Sequence, residues 1–246
     1  MSRYLFGFIL SISILISVNV YSAGNVTLAS LDWEPYIGQN LENQGYVAEL
    51  VREAFKAEGY TLKIVYLPWA RVVSMAKKGE YDGYFPEYYS DSLKKDFFVS
   101  DPFQGGPLVF FERKGANITF NKLEDLKPFR IGVVRGYVNT EAFDNASYLK
   151  KDEVKDDFTN LKKLVAGRID LMVADKFVGY HLIKTKMPQN KNKIDVVKPV
   201  LEEKDLYVCL SKKVKSGDQK LKAFNAGLKK IKENGLMNSI LKKHGF

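Results

Sequence analysis

Strand-like and helix-like segments alternate along this chain, and that order leaves few folds open. Residues 25–31 (NVTLASL) read as a strand, and residues 46–58 place Val47, Leu50, Val51 and Phe55 on one helical face before stopping at Gly59. Residues 61–66 (TLKIVY) are a second strand. Pro68 opens a helix that runs through Trp69, Val72, Val73 and Met75 to Gly79, and residues 81–85 are a third strand. A β-α-β-α-β order closes as an open, largely parallel sheet flanked by helices. After residues 108–113 (LVFFER) the plan restarts. Residues 129–134 are a strand, Arg135-Gly136-Tyr137 a turn, and residues 139–143 the start of a helix. Residues 158–165 form a second helix ending at Gly167, and residues 170–174 a strand. A late strand, 206–210, precedes amphipathic C-terminal helices.

The two halves share a local unit. Lys78-Gly79-Glu80-Tyr81-Asp82-Gly83 parallels Ala166-Gly167-Arg168-Ile169-Asp170-Leu171: a helix ends in a glycine, and an aspartate precedes a buried strand. Two similar α/β lobes put several strand ends at facing edges, where a cleft for a small molecule forms. With 46% hydrophobic residues in 246, the chain has apolar material for one large core or two smaller ones. The single cysteine, Cys209, excludes an internal disulfide and a cysteine-rich zinc site. The two histidines, His181 and His244, leave little for a metal centre, and no cofactor is expected.

Residues 1–23 read as a secretory signal peptide. Arg3 gives a positive start, residues 5–20 are apolar and uncharged, and Ser22, Ala23 and Gly24 are small. A largely apolar run of 16 residues falls short of the ~20 that span a bilayer, so cleavage is expected rather than anchoring. The formal net charge is +9, and ten lysines against Asp218 and Glu233 place +8 of it in residues 211–246. Those lysines alternate with Leu221, Phe224, Leu228, Ile231, Leu236 and Ile240 at helical spacing. They read as the solvated face of packed helices, and no nucleic-acid partner is expected.

Seven segments in order resemble the family 3 bacterial extracellular solute-binding proteins, the periplasmic receptors of polar amino-acid ABC transporters. They are Trp33-Glu34-Pro35-Tyr36, Leu67-Pro68-Trp69-Ala70-Arg71, Gly79-Glu80-Tyr81-Asp82-Gly83, Phe98-Val99-Ser100-Asp101-Pro102-Phe103, residues 126–136, Gly167-Arg168-Ile169-Asp170 with Asp175, and the lysine-rich tail. The resemblance implies a type II periplasmic binding protein fold, an α/β architecture of two lobes joined by two strands. The expected bounds are residues 24–106 for the first lobe, 107–205 for the second, and 206–246 for the return to the first. It also implies a monomer in the periplasm, with a small-molecule ligand and a membrane permease as partners.

The family clamps an α-amino acid with an arginine, an aspartate and a helix-start segment. The aspartate falls on Asp175 and the helix start on Gly136-Tyr137-Val138-Asn139. The arginine's place falls on Leu93, which cannot bind a carboxylate. Arg71 or Arg135, both at strand-to-helix junctions, could substitute, or the ligand has no α-carboxylate. Lys94, adjacent to Leu93, lacks the planar fork of a guanidinium. Aromatic candidates are Trp33, Tyr36, Trp69, Tyr84, Tyr88 and Tyr137, suited to a cation or a stacked ligand. Among them Trp69 is expected in the core, and Trp33 and Tyr88 on the wall. Glu34 and Glu87 are expected in exposed loops. The leading reading is a non-enzymatic carrier that binds with Trp33, Tyr36, Arg71, Tyr88, Arg135, Tyr137, Asn139 and Asp175. The alternatives are a periplasmic enzyme similar to cyclohexadienyl dehydratases and a ligand-sensing module.

Overall fold

A computed structural model describes residues 24–246; the expected leader lies outside the described residues. The first half runs β1 (Gly24–Ser30), α1 (Tyr46–Lys56), β2 (Tyr60–Tyr66), α2 (Trp69–Lys78), β3 (Gly83–Glu87) and the short β4 (Phe97–Val99). β5 (Phe103–Arg113) then crosses to the second half. There follow β6 (Arg130–Val134), α3 (Glu141–Asn145), β7 (Lys150–Val154), α4 (Asp157–Val165), β8 (Leu171–Asp175), α5 (Lys176–Lys186) and β9 (Ile194–Val196). β10 (Glu202–Ser211) returns the chain, and α6 (Gly217–Glu233) and α7 (Leu236–Lys243) complete it. Among the described residues, no helix is long and apolar enough to cross a membrane.

The strand order β2-β1-β3-β10-β5-β8-β6-β7 makes the two halves mirror each other about β10 and β5. β1 is parallel to both β2 and β3, and β6 is parallel to both β7 and β8. β5 and β10 pair antiparallel and link the lobes. The first part of β10 binds β5, whereas Tyr207 to Ser211 turn to β3 and β4.

The repeated unit has a physical cause. α2 closes on Gly79 in the left-handed conformation (φ 80°), and Gly167 after α4 has φ 69°. Asp82 then accepts the Thr27 N–H at 2.7 Å and donates its own N–H to the Thr27 carbonyl at 2.9 Å. Asp170 makes the same two bonds to Arg130, at 2.8 and 2.9 Å. In both lobes an aspartate thus fixes the start of one strand to its parallel neighbour, at the middle of β1 in the first lobe and at the start of β6 in the second. This places β3 at Gly83–Glu87, two residues later than its pattern predicts, because Asp82 still belongs to the turn. Glu87 therefore becomes the last residue of a strand buried along its whole length.

α1 buries Val47, Leu50, Val51 and Phe55, the face its periodicity gives. α6 lies across it, with Phe224 5.3 Å from Phe55 and Leu228 and Ile231 buried. Most lysines of α6 face outward; Lys220 turns in and reaches Asp82 at 2.5 Å.

Candidate functional site

A cleft of about 550 Å³ lies between the lobes. The first lobe lines it from the ends of β1 and β2 with Trp33, Glu34 and Trp69, and the second lobe with Tyr137, Asp156 and Asp157. A smaller pocket of about 20 Å³ adjoins it and shares Leu31, Trp33, Trp69 and Tyr137; Glu87 and Tyr88 also line it. Strand ends and helix starts converge here because parallel strands in both lobes present their carboxyl ends to the gap.

The walls are aromatic. Trp69 meets Tyr137 of the opposite lobe edge-on at 5.7 Å, and its Nε1–H donates to the Gly136 carbonyl at 2.8 Å. Trp33 meets Tyr88 edge-on at 5.8 Å and stacks on Tyr36 at 4.8 Å. Trp69 is the core residue expected, 5% exposed, and it is also a wall of the cleft. Pro68 starts α2 with the tryptophan at its first position, which turns the indole toward the other lobe. Both tryptophans of the chain line the cleft.

Two buried carboxyl groups line this region, Glu87 in the small pocket and Asp157 in the cleft. Glu87, 4% exposed, accepts the Tyr84 hydroxyl at 2.9 Å and the Tyr88 N–H at 2.8 Å. Burial pushes its pKa up to about 8, against the opposing pull of those bonds and of Lys204. The Lys204 ammonium sits 2.8 Å from Glu202 and 5.2 Å from the Tyr88 ring centre. Glu87 is therefore no exposed-loop residue, as its sequence surroundings imply, but the buried end of β3.

Asp157, 5% exposed, opens α4 and accepts the Tyr137 hydroxyl at 3.1 Å through Oδ2. Its Oδ1 is buried without a partner, and so is the Nε1–H of Trp33. Burial raises the Asp157 pKa to about 7, helped by Asp175 and Asp156 and opposed by the Tyr137 hydroxyl and by the Trp33 indole N–H, which faces the carboxyl outside hydrogen-bond geometry. Sequence reading missed Asp157. Its available signal was the paired Asp156-Asp157 before a helical run, with Asp156 as the cap accepting the Thr159 N–H at 2.7 Å.

Asp175 stands behind the cleft. As the cap of α5 it accepts the Phe177 and Val178 N–H groups at 2.8 and 3.1 Å through Oδ1. Its Oδ2 accepts the hydroxyls of Tyr36 at 2.9 Å and Tyr88 at 3.0 Å, both from the first lobe. Burial lifts its pKa to about 6 against those four bonds. Gly106 on β5 permits this contact, since a Cβ there would lie 2.2 Å from the Tyr36 hydroxyl. Tyr36 and Asp175 thus form a bridge between the lobes.

The remaining candidates point elsewhere. Arg71 is exposed, and Arg135 reaches Glu153 at 3.3 Å with both side chains more than half exposed; neither lines the cleft or pocket. Asn139 is buried and gives its backbone N–H and its side-chain amide to Asp144, at 2.8 and 2.9 Å. The helix expected from 139 begins at Glu141, capped by Thr140, whose hydroxyl accepts the Phe143 N–H. Leu93 is a 9%-exposed core residue, and Lys94 pairs with Asp91 at 3.0 Å on the surface. At the mouth, His181 of α5 meets Glu34 at 3.0 Å across the gap.

A family model for bacterial extracellular solute-binding proteins, family 3, matches residues 27–246. The chain belongs to that family. It is similar to the L-cystine-binding protein TcyJ of Escherichia coli (strain K12), 25% identical over 156 residues. That match covers 63% of this family 3 chain and spans 56% of the relative's length. An ancestral arginine-binding protein bound to arginine has the same fold at a TM-score of 0.75 and 21% identity, covering 91% of this chain and 99% of that one. So does a histidine kinase sensor domain with similarity to periplasmic binding proteins, at 0.77 and 20%, covering 89% and 95%. The family 3 protein has the two-lobed periplasmic binding protein fold.

Proposed function

We propose that this protein captures a small polar solute between its lobes and delivers it to an ABC transporter permease, acting as a periplasmic monomer without catalysis. The lobes are residues 24–106 with 206–246, and 107–205. The observation that carries this reading is the cleft itself. Trp33 and Trp69 face Tyr137 and Asp157 from the opposite lobe, so a solute held there contacts both lobes and favours the closed state. A permease can then distinguish loaded from empty carrier by shape.

Intrinsic tryptophan fluorescence tests this directly, because both tryptophans line the cleft. A saturable change on adding a solute, with a rise in melting temperature, is the expected result. At ~100 times its Kd a ligand adds ~2.7 kcal/mol of stability. A panel of amino acids, amines, sugars and organic acids that leaves both signals flat removes solute capture. Export is checked by N-terminal sequencing of the periplasmic protein, expected to start near residue 24.

An enzymatic reading has one observation in its favour: Glu87 and Asp157, buried beside the cleft, have pKa values pushed up to about 8 and about 7, in the range that suits proton transfer at neutral pH. Recovery of a cleft-bound solute unchanged after prolonged incubation, followed by mass spectrometry, decides against it.

A further inference from the structure

The cleft is built for positive charge and lacks the means to hold a carboxylate. Leu93 is buried where the resemblance puts the carboxylate-binding arginine. In the helix-start segment, the Asn139 N–H is taken by Asp144 and the Tyr137 N–H by the Val134 carbonyl. Among the described residues, the cations lining the cleft are Lys155 and Lys186, both exposed, and Lys155 lies 3.7 Å from Asp156. The small pocket is lined by no cation.

Against this stand two buried acceptors, one from each lobe. Glu87 lines the pocket, and Asp157 lines the cleft with one buried oxygen, Oδ1, left without a hydrogen bond. Ionising a buried carboxyl group is costly even where, as at Glu87, its oxygens accept hydrogen bonds, so a cation that binds against these two groups completes the site. The aromatic rings between them favour an organic cation over a metal ion, through contact with ring faces and hydrocarbon. Size narrows the class further. The pocket beside Glu87 measures about 20 Å³, room for one water-sized group. A primary ammonium fits that space and a trimethylammonium head does not.

We propose that the ligand is a primary diamine without a carboxylate. One ammonium enters the pocket at Glu87, the carbon chain lies along Trp33, Trp69 and Tyr137, and the other ammonium meets Asp157. Two positive ends balance two carboxylates, so neither is left buried alone. This inference rests on the solute-capture reading and names its substrate class.

The test uses purified protein stripped of bound solute by unfolding and refolding. It is titrated with α,ω-diamines from diaminopropane to diaminohexane, and with butylamine, choline, L-lysine, L-arginine, L-cystine and citrate. Tryptophan fluorescence and calorimetry read the binding. One diamine is expected to bind at least tenfold more tightly than butylamine, choline and L-lysine. Glu87→Gln and Asp157→Asn should each weaken that diamine at least tenfold without lowering the melting temperature. Wild-type protein should also release protons on binding, seen as a buffer-dependent heat, whether or not the variants fold.

An amino acid that binds more tightly than every diamine overturns the proposal and leaves solute capture standing. A diamine that both variants bind as well as wild type does the same. No response to any member of the panel removes both readings.

Discussion

Asp157 and Asp175 are both buried aspartates of the second lobe, both stand at helix starts, and both face the first lobe. Their surroundings differ in one respect that decides what each does. Asp175 has four donors, two from its own helix and two tyrosine hydroxyls from across the gap. Asp157 has one hydroxyl and a bare oxygen. A satisfied buried carboxylate holds structure together, whereas an unsatisfied one has room for a partner that arrives later. Burial and charge alone do not separate the two; the count of donors does.

The comparison breaks most directly by removing each carboxylate in turn. Asp175→Ala deletes a helix cap, worth about 1 kcal/mol. It also strands the buried hydroxyls of Tyr36 and Tyr88, at roughly 1 kcal/mol or more each. A loss of about 3 kcal/mol is expected, a fall of roughly 6–12 °C in melting temperature for a chain of this size. Asp157→Ala strands one hydroxyl, that of Tyr137, but also removes a carboxylate that carries a desolvation cost, and its melting temperature should stay within a few degrees of wild type. Equal losses in the two variants, measured by thermal unfolding without added solute, would show that Asp157 is as structural as Asp175.

The pH dependence of stability sharpens the same contrast from the side of the empty site. Glu87 and Asp157 hold their protons more tightly when folded, with pKa values of about 8 and 7, than unfolded, near ~4. Their contribution to stability is full below about pH 4 and is lost as pH rises through 7 and 8. The groups around Glu87 are Tyr84, Lys204, Asp144 and Cys209; those around Asp157 are Tyr137, Asp156, Asp175, Tyr88 and Trp33. Cys209 and the tyrosines are pushed further up by burial and stay neutral across this range. The melting temperature of solute-free protein should therefore fall between pH 5 and 8.5, and the double variant Glu87→Gln, Asp157→Asn should flatten that fall. An unchanged slope in the double variant would mean that other groups set it.

Much of the fold is legible in the order of the amino acids, and the rest is hidden for physical reasons. Periodicity locates α1, α2, α4 and the buried strands, because a face that packs must repeat. It misses β7, whose sequence KKDEV is charged; as an edge strand of the path it pairs only with β6 and keeps its side chains largely in water. It puts Trp69 in the core, where the residue is indeed buried, but cannot show that the same indole also reaches across to Gly136 and Tyr137 of the other lobe. Glu87 and Asp157 stay hidden for a different reason. Only the three-dimensional arrangement shows that both are buried beside the cleft, and that Asp157 keeps an oxygen without a donor. Leu93 is legible as a departure from the family pattern, but its meaning depends on where the positive charges go.

The smallest effect concerns what holds the lobes together when the site is empty. The Glu34–His181 contact spans the mouth at 3.0 Å with both side chains about a quarter exposed. A pair so open to water contributes at most about 1 kcal/mol. The Tyr36 and Tyr88 bonds to Asp175 cross the same gap out of reach of water. His181→Ala should accordingly lower the melting temperature by no more than a few degrees and leave the radius of gyration of the empty protein near that of wild type in small-angle scattering. Tyr36→Phe, which breaks a buried bond, should shift both quantities further. A larger expansion in His181→Ala than in Tyr36→Phe would reverse the ranking: the pair at the mouth would then hold the lobes shut, and Asp175 would serve its own helix alone.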